Sequence, residues 1–297
     1  MLHTISVFCE CSIYDNEIPI VLVHGFISDY SVFDTFIENI KRDFPNRKII
    51  VPKIQYDLFS SIFCGLTRYV RIVATSISKS VDTECINLIG HSQGGLVTRA
   101  YIQLFSGQQH YPRVRNYISL AGAQGGFFCG DNCTDFGPMV NAIMKLVKKA
   151  IYSNFVQVRI TPAGYWRDPY DYEKYQYKCG ILAQINGECT NQSEATGKSN
   201  IIALNKFINV YSAVDNALMP IMTANFAMYE PKTGILLELE QNFIYKTDKI
   251  GLKQLKETNK MISCRTDILH MDFVGAEFYE THLKKILSGE EHLMACE

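Results

Sequence analysis

Apolar positions along this chain fall into two alternating kinds of run. Short, mostly apolar runs occupy Ile18 to Val23, Lys48 to Val51, Ile86 to Ile89, Tyr117 to Leu120, Phe207 to Tyr211 and Met261 to Cys264; their length and β-branched content predict buried strands. Pro19 is compatible with the first only near its start, where no ladder donor is needed. Other stretches repeat apolar residues every three or four positions: Phe33, Phe36, Ile37, Ile40 and Phe44; Val70, Val73, Ala74, Ile77 and Val81; Leu96, Val97, Ala100, Tyr101 and Leu104; Tyr279, Leu283, Ile286 and Leu287. That period predicts amphipathic helices, the first capped by Ser31. Strands alternating with helices imply parallel pairing through right-handed crossovers, with helices on both faces of the sheet. The expected fold class is α/β, doubly wound.

The rhythm breaks between Gly125 and about Ser199, where glycine, cysteine and tyrosine are frequent and a single helix is expected, from Met139 to Ala150. Residues 125–199 read as an insertion that caps the carboxyl edge of the sheet. There is no internal repeat and no low-complexity linker, so residues 1–297 are expected to form one domain carrying this insertion.

Composition narrows the partners. With 29 basic and 30 acidic residues the formal net charge is −1, which gives no electrostatic reason to expect nucleic acid or an anionic membrane as the main partner. No apolar run approaches the ~20 residues of a membrane-spanning helix. Ten cysteines, with Cys129 near Cys133 and Cys179 near Cys189, suit short disulfide loops in an oxidising compartment. No histidine lies beside either pair, so neither a metal nor a cofactor is expected. The sequons Asn132-Cys133-Thr134 and Asn191-Gln192-Ser193 point the same way. Residues 1–12 hold an apolar stretch that reads as a short signal peptide without a basic lead-in.

The chemistry centres on Gly90-His91-Ser92-Gln93-Gly94, which follows a strand and opens a helix. Strand, Gly-x-Ser-x-Gly and helix together form a nucleophile elbow, in which a β-carbon at either flanking glycine would strike neighbouring backbone. A serine hydroxyl needs a base to take its proton and a carboxylate to orient that base. In α/β hydrolases these follow the serine in the order acid, then histidine, on loops after later strands. Asp215 and His270 satisfy that order at the edge that carries Ser92. Asp248, Asp267 and Asp272 compete with Asp215, but the first precedes a lysine-rich stretch and the others share the loop of His270, where Asp272 could cap the next helix. His282 within the last helix and His292 in the tail compete less well with His270. The backbone amides of Gln93, at the helix start, and Phe26, in the loop His24-Gly25-Phe26, are the candidate oxyanion donors.

Several segments together resemble one family. They are His24-Gly25-Phe26, Gly90 to Leu96, Ser119-Leu120-Ala121-Gly122 leading to Gln124-Gly125-Gly126, Gly164-Tyr165-Trp166-Arg167-Asp168-Pro169, Leu182-Ala183-Gln184-Ile185-Asn186 and Lys249-Ile250-Gly251-Leu252-Lys253. From about Ile18 to Leu287 the chain resembles the palmitoyl-protein thioesterases, α/β hydrolases with a mostly parallel central sheet. The resemblance implies Ser92 as nucleophile, Asp215 as orienting acid and His270 as base. It also implies removal of long-chain acyl groups from cysteine thioesters in lysosomes. The chain departs from the family at Thr266 to Met271, where Gly-Asp-His-Leu is frequent, and in the long segment from Asn216 to Met228.

The insertion itself suits lipid. Phe127, Phe128, Met139, Ile143, Met144, Tyr165 and Trp166 offer apolar surface, with Phe127, Phe128 and Trp166 the candidate acyl contacts, and each buried methylene gains about 0.8 kcal/mol. The same side chains could instead form the insertion's own core. The expected partners are S-acylated proteins or peptides and fatty-acyl thioesters, met by a monomer of the secretory pathway, lysosomal or secreted. A carboxylester lipase or acyl-CoA thioesterase on the same fold, and a non-catalytic acyl-chain carrier, are the competing readings.

Overall fold

The computed structural model describes residues 18–53, 57–130 and 148–290. Among the described residues, eight strands occur in chain order: β1 Ile20–Val23, β2 Ile49–Ile50, β3 Cys85–His91, β4 Arg113–Leu120, β5 Lys206–Ser212, β6 Met228–Tyr229, β7 Leu236–Leu237 and β8 Met261–Thr266. Six of them form one sheet in the order β2-β1-β3-β4-β5-β8, every pair parallel, while β6 and β7 make a separate antiparallel pair. The principal helices are α1 Asp34–Asp43, α2 Asp57–Phe63, α3 Leu66–Ser80 and α4 Gln93–Leu104.

Period-two alternation divides each strand between two cores. Val21, Val23, Ile86, Leu88, Tyr117 and Phe207 face α3 and α4, packing on Tyr69, Val70, Val73, Ala74, Ile77, Leu96, Val97 and Ala100. Ile20, Leu22, Ile89, Ile118, Ile208 and Val210 face the other way, onto Phe33, Phe36 and Ile40 of the first helical segment and Phe273, Phe278, Tyr279 and Leu283 of the last. Burial on both faces is why the strands read as continuous apolar runs.

Several boundaries differ from expectation for local reasons. Ser31 does not cap α1: it lies inside a 3-10 turn, Tyr30–Phe33, capped by Asp29, whose carboxylate accepts the Ser31 N–H at 2.8 Å and the Ser31 hydroxyl at 2.6 Å, and α1 follows directly from Phe33 without a side-chain cap. Asp272 accepts the Leu269 N–H at 3.2 Å from within a 3-10 turn, His270–Val274, so it closes that turn onto its own start and does not cap a helix from Phe273. In the insertion, the expected helix from Met139 falls mostly outside the described residues, and Lys148–Ala150 is a 3-10 turn. Short helices follow at Asn154–Gln157, Tyr172–Lys178, Ile181–Asn186 and Lys198–Ile202. Cys179 and Cys189 are disulfide-bonded, and Asn191 of the second sequon is exposed just beyond. Cys133, Asn132 and residues 1–12 lie outside the described residues. No described helix is long and apolar enough to cross a membrane.

Candidate active site

The carboxyl ends of the parallel strands deliver the candidate residues to one edge, the place where open α/β sheets bind ligands. The chain turns from β3 into α4 at Ser92, whose φ of 57° and ψ of −129° lie in a region L-residues seldom occupy. The turn is held by the Ser92 N–H donating to the Leu120 carbonyl on β4 at 2.9 Å and by the Ser92 carbonyl accepting the Gly95 N–H at 2.9 Å. A β-carbon on Gly90 would overlap the Gly94 carbonyl and Thr98 Oγ1, and one on Gly94 would overlap the carbonyl oxygens of Val23 and His24. Gly25 has the same importance from the opposite side, since a β-carbon there would come 2.7 Å from the Ser92 β-carbon and 3.1 Å from its hydroxyl.

The loops after β5 and β8 bring up the other two. His270 Nε2 lies 2.8 Å from Ser92 Oγ, and His270 Nδ1 lies 2.7 Å from Asp215 Oδ2. The second carboxylate oxygen of Asp215 accepts the N–H groups of Ala217 at 2.8 Å and Leu218 at 2.9 Å. Burial alone would raise the Asp215 pKa. The His270 hydrogen bond and charge, with those two amides, outweigh burial and hold it below the usual carboxylate range. A hydroxyl, an imidazole and an ionised carboxylate thus stand in one hydrogen-bonded line. The competing groups go elsewhere. Asp248 accepts the Lys253 N–H, Asp267 lies near Arg265, and His282 stacks on Phe278 while bonding Thr281. His292 falls outside the described residues.

Two residues that the sequence did not single out hold the backbone of His270. Asn216 Oδ1 accepts its N–H at 3.1 Å, and His91 Nε2–H donates to its carbonyl at 3.0 Å. Burial, together with the neighbouring His270, lowers the His91 pKa to about 3. The unfolded chain therefore takes up a proton near pH 6.5 that the folded chain refuses, so this contribution to stability is full above that pH and is lost as pH falls from about 6.5 towards about 3. Well inside that window the loss approaches about 1.4 kcal/mol per pH unit. His91→Gln, which keeps a donor but not the titration, is expected to flatten the fall in stability between neutral and acidic pH. Urea midpoints measured across that range check it, and an unchanged slope would count against a neutral His91.

Ser92 opens on a cavity of about 200 Å³ lined by Phe26, Ile27, Gln93, Ala123, Phe127 and Pro162, with Tyr165, Ala217 and Leu218 completing the wall. Both candidate oxyanion residues therefore border the same space as Ser92, and among the described residues neither the Phe26 nor the Gln93 backbone N–H donates to another protein group. Of the candidate acyl contacts, Phe127 lines the cavity. Phe128 and Trp166 pack behind it, the Trp166 ring 5.9 Å from Phe127 and 5.5 Å from Phe128 between centroids. Tyr165 lines the cavity; Met139, Ile143 and Met144 lie outside the described residues.

The Tyr-Trp-Arg segment forms part of the cavity wall. Phe127 N–H donates to the Tyr165 carbonyl at 2.8 Å and Arg167 N–H to the Phe127 carbonyl at 2.9 Å. Behind this pairing Arg167 meets Glu188 at 2.7 Å, the two side chains 2% and 0% exposed. Glu188 also accepts from Tyr172, Tyr175 and Asn186, and Asn186 accepts from Arg99 of α4 at 2.8 Å. A buried polar network thus ties the elbow helix to the wall. Glu188→Gln would leave Arg167 charged and without its buried counter-ion, at a cost of about 3–5 kcal/mol. Denaturant unfolding is the measurement, and a loss below 1 kcal/mol would contradict it.

The profile of the family described as palmitoyl protein thioesterase matches residues 19–270. Palmitoyl-protein thioesterase 3 of Dictyostelium discoideum is 30% identical over 259 residues, covering 86% of this chain and 85% of the relative. Palmitoyl-protein thioesterase 1 of Caenorhabditis elegans is 27% identical over 279 residues, covering 91% and 92%. The human lysosomal thioesterase PPT2 is 26% identical over 260 residues, covering 83% and 79%.

Proposed function

The chain belongs to the palmitoyl protein thioesterase family and is a thioester hydrolase, and from that premise we propose that Ser92, His270 and Asp215 are its catalytic residues. The observation that carries the reading is the unbroken line from Asp215 through His270 to Ser92, at 2.7 and 2.8 Å, beside an apolar cavity. Ser92 Oγ attacks the thioester carbonyl carbon as His270 Nε2 takes the hydroxyl proton, and Asp215 stabilises the imidazolium. The Phe26 and Gln93 amides receive the negative charge on the carbonyl oxygen. The tetrahedral species collapses by breaking the carbon–sulfur bond, and the departing cysteine sulfur receives the proton from His270. Water, deprotonated by His270, then attacks the acyl-serine, and the fatty acid leaves as Ser92 regains its proton.

Phe26, Ile27, Ala123, Phe127, Pro162, Tyr165 and Leu218 suit the acyl chain of an S-acylated protein or peptide. All three catalytic groups come from one chain, which supports action as a monomer. The lysosomal naming of relatives, the Cys179–Cys189 disulfide and the exposed Asn191 sequon support the secretory pathway, with the lysosome as destination. The test compares matched palmitoyl thioester, palmitoyl oxyester and shorter acyl thioesters. The thioester is expected to be the better substrate, and kcat/KM to fall by up to about fourfold for each methylene lost from the cavity. Equal rates across chain lengths would remove the acyl assignment of this cavity.

A further inference from the structure

The chain's near-zero net charge hides a local separation of charge and apolar surface beside the Ser92 cavity. Phe59 and Phe63, one helical turn apart on α2, are 65% and 45% exposed, while Ser61 and Ile62 between them are buried. Phe155 and Val158 of the neighbouring insertion segment are 67% and 60% exposed. The two segments are in contact. Thr161 Oγ1 donates to the Ser60 carbonyl at 3.0 Å and accepts the Cys64 N–H at 3.3 Å, and a β-carbon on Gly65 would strike the Val158 backbone. Four large exposed apolar side chains thus stand on two segments that touch each other, the kind of grouping that marks an interaction site.

This surface adjoins the cavity mouth. Ser61 Oγ accepts the N–H of Ile27, which lines the cavity, and the Ser61 carbonyl accepts from the Gln93 side chain. Pro162 and Tyr165, just beyond Val158, also line it. Basic residues outnumber acids in the segments that form and adjoin this surface: from Asp57 to Arg71 and from Lys148 to Pro162 the sequence contains Arg68, Arg71, Lys148, Lys149 and Arg159 against a single acid, Asp57 at the start of α2. Arg68 and Arg159 are exposed, and the Arg159 guanidinium lies over the Phe155 ring at 4.2 Å from its centroid.

We propose that α2 and the segment around Phe155 form a docking surface for an anionic lipid bilayer, holding the mouth of the Ser92 cavity against the membrane in which acyl chains are embedded. Aromatic side chains that enter the interface while arginines meet lipid phosphates are the two forces by which a protein lies on a membrane without crossing it. The orientation of the surface rests on the proposed acyl role of the cavity; binding to lipid does not depend on turnover.

The experiment is flotation of the full chain with vesicles of phosphatidylcholine alone or of phosphatidylcholine with phosphatidylserine. The wild-type protein is expected to float with the anionic vesicles and to stay behind with the neutral ones. Phe59→Ser combined with Phe155→Ser is expected to weaken binding by at least about tenfold, and Arg68→Gln with Arg159→Gln to remove the preference for anionic lipid. Both variants are expected to keep wild-type rates on a water-soluble thioester, which shows that they are folded. The proposal is overturned if the wild type does not float, floats equally on both compositions, or is matched by the Phe59 and Phe155 double variant. A wild type that hydrolyses soluble thioesters but never floats leaves the thioesterase reading standing.

Discussion

Replacing Ser92 with alanine is expected to lower kcat by about 10⁶-fold, the scale seen when the nucleophile of a serine hydrolase is removed. The substitution deletes one oxygen and nothing else. Alanine carries the same β-carbon at the same positive φ of 57°, so the strain of the elbow is unchanged and the Ser92 N–H bond to Leu120 remains. Stability should therefore stay within about 1 kcal/mol of wild type, and the rate loss can be assigned to chemistry. What survives is the share of Phe26 and Gln93, whose amides can still polarise the thioester carbonyl towards water. Rates measured on a palmitoyl thioester, beside a melting curve, test both halves. A variant retaining a tenth of wild-type activity would show that Ser92 is not the attacking group.

Asp215→Asn is expected to lower kcat by about 10⁴-fold with little change in fold. The geometry decides which way the new amide points. Oδ1 of Asp215 already accepts two backbone N–H groups, from Ala217 and Leu218. Asparagine must keep its carbonyl oxygen there, which turns its NH₂ towards His270 Nδ1, the atom now 2.7 Å from Oδ2. Two donors cannot face each other, so Nδ1 gives up its proton and Nε2 carries it. An imidazole protonated at Nε2 cannot take the Ser92 proton across the 2.8 Å that separates them. Proton NMR of the imidazole N–H groups would reveal the tautomer exchange beside the rate loss; a variant with wild-type kcat would remove Asp215 from the line.

Much of this site is legible in the sequence because its constraints are local or topological. The glycines at 90 and 94 declare the elbow, and a parallel α/β sheet puts the loops after its strands at one edge, so chain order together with loop position favours Ser92, Asp215 and His270 over the other aspartates and histidines that follow. The structure brings those three within hydrogen-bonding distance. Groups that act through distant backbone leave no such trace. Asn216 and His91 grip His270 through its main chain, and neither position has a pattern that announces it. Arg99, Glu188 and Arg167 look like solvated charges until folding buries them together. For Trp166 the sequence leaves open an acyl contact or a place in the insertion's own core, and its ring packs on Phe127 and Phe128 rather than lining the cavity. Helix α2 was hidden because it has only seven residues, too few for an apolar period, and its exposed phenylalanines interrupt the usual pattern. A net charge of −1 likewise says nothing about the exposed arginines, Arg68 just after α2 and Arg159 beside Phe155, that accompany the exposed apolar side chains.

If Ser92 carries the acyl group during turnover, a serine-reactive fluorophosphonate should modify it, which peptide mass spectrometry read beside residual activity can show. One phosphonate per chain is expected, on the peptide containing Ser92, with activity lost in proportion to labelling and no labelling of Ser92→Ala. Full thioesterase activity in protein labelled at Ser92, or complete inactivation by labelling at another residue, would rule Ser92 out as the acyl carrier.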